Sequence, residues 1–104
     1  MNVLDVAVLR WPELAELRHL DGWTWQRGGQ GDLAEVGLCG YQRIAPSWMN
    51  VIWIFGPNEA HAVRAMIDGP ATWTREGTVA EVLGALATVP RPGRPGAPLT
   101  AIDP

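Results

Sequence analysis

The chain has no lysine; all eight of its basic residues are arginines. A Schiff base, a lysine general base and the lysine of a phosphate-binding P-loop are therefore excluded. One cysteine, Cys39, rules out an internal disulfide, and the first residues show no basic stretch followed by an apolar core and a cleavage site. A cytoplasmic location is the resulting expectation. Long hydrophobic runs are also missing. The longest, Met49 to Phe55 with Asn50 inside it, falls far short of the ~20 residues of a membrane helix, so no membrane association is expected. Serine occurs once, in Ala45-Pro46-Ser47-Trp48, without the flanking glycines of a nucleophile elbow. Excess positive charge is lacking too: a net charge of -3 and a pI near 5.2 argue against nucleic-acid binding, which depends on neutralising phosphates.

What is present is enough for one hydrophobic core. The 104 residues are 47% hydrophobic and only 18% charged, a globular composition with no room for a second domain. The expected organisation is a single α+β domain over residues 1–89 and an extended Pro/Gly-rich tail over 90–104.

Punctuation is clearest in the second half. Met49 to Phe55 is β-branched and aromatic on both alternating sets and reads as a central strand covered on both sides, ending at Gly56-Pro57. Pro57 then suits the first turn of a helix over 57–68, with Ala60, Val63, Met66 and Ile67 on one face and Gly69-Pro70 as the stop. A short strand, Ala71 to Arg75, follows. Thr78-Val79-Ala80-Glu81 has the form of a capping box, and Val79, Val82, Leu83 and Leu86 continue from it as the apolar stripe of a helix to about Thr88.

Earlier in the chain, Val3, Val6, Ala7 and Arg10 fit a helical period, although Val6 and Val8 also alternate as in a strand; helix is the preferred reading. Pro12 with Glu13 and Glu16 starts a two-turn helix that stops at Asp21-Gly22. Trp23, Trp25 and Arg27 share one side of a short strand. After the Gly28-Gly29-Gln30-Gly31-Asp32 turn, residues 33–44 alternate, with Ala34, Val36, Leu38 and Ile44 on one face and Glu35, Cys39, Tyr41 and Arg43 on the other. Thr24-Trp25-Gln26-Arg27 and Leu33-Ala34-Glu35-Val36 echo Thr72-Trp73-Thr74-Arg75 and Val79-Ala80-Glu81-Val82. A true duplication would make residues 33–38 helical, against which Gly37 and Gly40 speak. The fold expected is thus an N-terminal helix, a three-stranded antiparallel meander, a helix, a fourth strand and a C-terminal helix, with the helices on the sheet face that carries Trp53 and Trp73.

No arrangement of residues forms a catalytic, metal or nucleotide motif, and no cofactor is expected. His61 and Glu59, two apart on a helix, would point in different directions, which leaves His61 on a solvated face with Arg64 and Asp68. His19 caps a helix end. Cys39 has no CxxC partner and no basic sequence neighbour, as befits a buried free thiol. The glycines at 28, 29 and 31 are too closely spaced for a dinucleotide loop and read as a hairpin turn.

The unusual content is six tryptophans, most of them expected in the core. Trp11 and Trp48, at element boundaries, and Arg91 and Arg94, in a PxxP-like stretch of the tail, are the residues expected to meet a protein partner. These features point to a non-enzymatic interaction module, an accessory, inhibitor or immunity-like protein acting by contact, with self-association as one form. The alternative is a small enzyme or ligand-binding domain whose site spans residues 35–43, with Glu35, Cys39, Tyr41 and Arg43 sharing one side of a strand.

Overall fold

A computed structural model describes residues 2–102. Its elements are α1 (Val3–Arg10), a 3₁₀ helix (Pro12–His19), β1 (Thr24–Arg27), α2 (Leu33–Val36), β2 (Leu38–Ala45), β3 (Trp48–Gly56), β4 (Glu59–Met66), β5 (Ala71–Gly77) and α3 (Val79–Thr88). The strands form one antiparallel sheet in sequence order, β1-β2-β3-β4-β5. The expected three-stranded meander with a separate fourth strand is therefore replaced by a five-stranded sheet, because the segment read as a helix over 57–68 is the strand β4.

The reason lies in what flanks that segment. Pro57-Asn58 forms a two-residue turn between β3 and β4, and strands on both sides pair with the backbone of residues 60–65. Ala60, Ala62 and Arg64 are buried on one face, while His61, Val63 and Ala65 alternate with them on the other. Alanine, glutamate and methionine favour a helix in isolation, but pairing with β3 and β5 outweighs a preference of a few tenths of a kcal/mol per residue. Asp68, the one described non-glycine residue with positive φ (60°), makes the turn into β5.

A second correction concerns residues 33–36. Asp32 accepts a hydrogen bond from the Ala34 N–H at 3.2 Å, and Gly37 closes the turn with φ 80°, its N–H donating to the Leu33 carbonyl, so one helical turn precedes β2. Gly37 terminates that helix without forbidding it. The sequence echo thus marks a shared local plan: an edge strand, β1 or β5, leads into a side-chain-capped helix.

All helices rest on one sheet face. Ala7 of α1, Leu14 and Leu17 of the 3₁₀ helix, Leu33 of α2, and Val79 and Val82 of α3 form a single buried cluster with Leu38, Ile52, Ile54, Ala60 and Ala62 of the sheet. Trp25 and Trp73 pack on this cluster, whereas Trp53 faces the other way; the helices do not cover the face carrying Trp53. Nor is β3 covered on both sides as its composition suggested. No helix among the described residues is long and apolar enough to cross a membrane.

Local chemistry fixes the ends of these elements. The Asn2 side chain accepts from the Asp5 N–H at 2.9 Å to start α1, and Pro12 opens the 3₁₀ helix where no N–H is needed. At α3 the capping box is complete: the Glu81 N–H donates to the Thr78 hydroxyl and the Thr78 N–H to the Glu81 carboxylate, each at 3.1 Å. The latter bond holds the Glu81 carboxyl below its usual range.

Gly40 shows how closely the covered face is packed. A Cβ there would lie 2.4 Å from the Trp25 ring, which rests flat on the bare backbone of β2 and stacks on Trp23 at 5.6 Å. Gly40→Ala is expected to displace Trp25 and cost about 1–3 kcal/mol. Thermal unfolding should report a Tm lowered by roughly 4–8 °C per kcal/mol, with a smaller penalty in a Trp25→Ala background. For Glu81, a carboxyl that titrates lower folded than unfolded stabilises the fold above its unfolded pKa, and that support is lost as pH falls through the folded value. NMR titration of Thr78→Pro, which removes both that N–H and the hydroxyl, should show the Glu81 value moving back up toward that of an ordinary glutamate.

Candidate functional site

Strand alternation sorts the functional side chains into two groups. On the uncovered face, antiparallel register aligns Thr24, Tyr41, Val51, Val63 and Thr74 in one row and Gln26, Cys39, Trp53, His61 and Glu76 in the next. A third row holds Arg43, Met49 and Ala65. The centre of this face, from Met49 through Val51 and Trp53 to Phe55, is apolar, and none of those four side chains packs on the core. Its charged members sit at the margins: Arg43 on β2 at one end, and Glu59 on β4 with Glu76 on β5 at the opposite end and side.

Cys39, Tyr41 and Arg43 are thus on one face, as expected, but Glu35 is not with them. It belongs to α2, on the far side of Gly37, so the four-residue site over 35–43 does not assemble. The physical reason is the helical turn, which breaks the alternation at Gly37. Cys39 lies beside Trp53, and burial pushes its thiol pKa up, the reverse of what a nucleophile requires.

His61 also has different neighbours from those expected of a helix. On a strand, Glu59 and His61 share a face, and Glu76 lies directly opposite His61 on β5. The imidazole Nε2 is 2.6 Å from the Thr74 hydroxyl, and the ring is tilted 40° against Trp53 at 6.1 Å. Even so, no group of three metal-ligating side chains forms among the described residues.

The four residues assigned to partner contact lie on separate segments. Trp11 sits between α1 and the 3₁₀ helix, packed on the core with the Arg10 guanidinium 5.5 Å from its ring centroid. Trp48 opens β3 opposite Met66, half-buried, and Arg94 lies in an exposed turn of the tail. Arg91 is exposed but borders a cavity on the covered side.

That cavity adjoins the feature that the sequence did not disclose. Gln42, Asn50, Arg64 and Trp73 form one cross-strand row on the covered face. Within it the Gln42 amide donates to the Asp21 carbonyl (3.4 Å), the Asn50 amide to the Gln42 side-chain oxygen (3.3 Å), and Arg64 Nε to the Asn50 oxygen (3.0 Å). Arg64 Nη1 donates to the carbonyl of Pro90, which holds the start of the tail. Arg64 is 2% exposed, although nothing in its sequence context separates it from the other arginines. The signal was available only as the alternation Ala60-Ala62-Arg64, once the segment is recognised as a strand.

No known protein family, characterised protein or solved structure matches the chain. The Cys39 environment has a direct chemical consequence. In the folded protein, its reaction with a disulfide reagent near neutral pH should run at least about tenfold slower than that of a free thiol. In denaturant the two rates should converge, and a fast folded-state rate would contradict the burial assigned to it.

Proposed function

We propose that the protein acts by contact rather than catalysis, and that the uncovered sheet face is the contact surface, occupied by a second copy of the chain. The observation that supports this is the apolar centre of that face, Met49, Val51, Trp53 and Phe55 with Val63 beside them, left without a helix layer on a sheet whose other side carries all the helices.

Area and charge favour self-association. Five strands spaced about 4.8 Å apart and roughly 20 Å long present ~500 Å² per copy, so a face-to-face pair buries on the order of 1,000 Å², the lower bound of stable interfaces. Arg43 and Glu76 stand at diagonally opposite corners, so a two-fold axis lying in the interface plane brings each against the opposite charge of the partner. Two sheets packed in this way cross at a steep angle, one of the two ways sheets stack.

Sedimentation velocity from about 1 to about 200 μM should therefore show a concentration-dependent dimer. Val51→Glu places a charge at the centre of the buried face and is expected to raise the dissociation constant at least about a hundredfold, with the far-UV dichroism unchanged. A monomer at every concentration, or a dimer indifferent to Val51→Glu, would refute the reading.

A further inference from the structure

A buried guanidinium is costly unless its charge and donors are matched. Arg64 has its Nε on Asn50 and its Nη1 on the Pro90 carbonyl, both neutral acceptors, and no carboxylate pairs with it among the described residues. Burial, and after it the like charge of Arg91, lower the pKa of Arg64. This is a site with two cations and no resident anion, in a chain whose net charge is -3.

The third nitrogen shows where an anion would go. Nη2 donates to no described side chain or backbone, yet no side-chain nitrogen or oxygen among the described residues is both buried and unpaired. Nη2 is therefore not completely enclosed, and Arg64, itself 2% exposed, lines a cavity of about 300 Å³ between the sheet and α3. Gln42 and Asn50 border the same space, and no described acidic residue lines it.

The walls define the rest of the ligand. Trp23, Ile44, Leu83 and Leu86 make one part of them apolar, opposite the polar part formed by Gln42, Asn50, Arg64 and Arg91, and neither a glycine-rich turn nor a hydroxyl side chain is among the lining residues to supply the further donors that a phosphate uses. We propose that this cavity binds the carboxylate of a small organic acid with an apolar body, Arg64 and Arg91 holding the charge and the Trp23 side of the cavity the body. The volume admits about ten non-hydrogen atoms. Asn50 and Gln42 act as positioning residues: their hydrogen bonds fix the guanidinium plane and leave Nη2 free.

Titration calorimetry of the full chain with phenylacetate, phenylethylamine and inorganic phosphate tests this, with quenching of tryptophan fluorescence as a second readout. Saturable binding of phenylacetate is expected, with phenylethylamine at least about tenfold weaker because the sign of its charge is wrong. Arg91→Ala, an exposed change that leaves the fold intact, should weaken phenylacetate roughly tenfold. Arg64→Lys, checked by dichroism for folding, should weaken it as much or more by losing the planar fork. No saturable phenylacetate binding up to about 10 mM, affinity unchanged in Arg91→Ala, or phosphate binding more tightly than phenylacetate would each overturn the proposal.

Discussion

Everything in this fold follows from placing one layer of helices on one face of an antiparallel sheet. Residues along each strand must then answer alternately to a dry interior and to an open surface, with a period of two. On the covered side the demand is for small volume where helices press close, which Ala60 and Ala62 satisfy, and for branched aliphatics where space opens, as at Ile52 and Ile54. Only near one end of the sheet, where Asn50 and Arg64 are buried, does the interior turn polar. There each polar group hands a hydrogen bond to the next across three strands, as burial away from water requires.

Tryptophan serves this arrangement in an unexpected way. None of the six is fully enclosed. Trp23 and Trp25 stack along the β1 edge and Trp73 lies toward the opposite one, so the rings cover the borders of the core where aliphatic side chains would be too short. Trp25 meets β2 only because position 40 has no side chain, a reciprocity between the largest residue and the smallest. Trp53 belongs to the other face, where a ring that size gives the surface much of its apolar character.

Much of this was legible in the amino acids and some was not. The capping box at Thr78 and Glu81 located α3 because it is a local, reciprocal device that owes nothing to the rest of the fold. The alternation of β2 was readable from Leu38 onward for the same reason. The strand β4 was not, since Glu59 to Met66 carries good helix formers in a pattern compatible with both periods, and the arbiter is pairing with neighbours that lie outside any short window. The turn Leu33–Val36 is hard to read because a glycine disfavours a helix interior, whereas Gly37 ends one. Arg64 is illegible for the same reason as β4: on a helix it would join a solvated stripe with His61, and on a strand it faces inward.

The tail, finally, is held at two points. Its first carbonyl, that of Pro90, accepts from Arg64, and the Ile102 N–H donates to the Ala71 carbonyl at 2.9 Å, at the start of the outermost strand β5. Between these anchors it advances through tight turns at Arg91–Arg94 and Arg94–Ala97, with prolines that cannot donate to a neighbouring strand. A segment of this kind occupies one outward carbonyl of β5 without adding a strand to it. Shorn of it, the molecule would bare the Ala71 carbonyl at the start of β5, one more unpaired group on a strand edge that proline cannot extend.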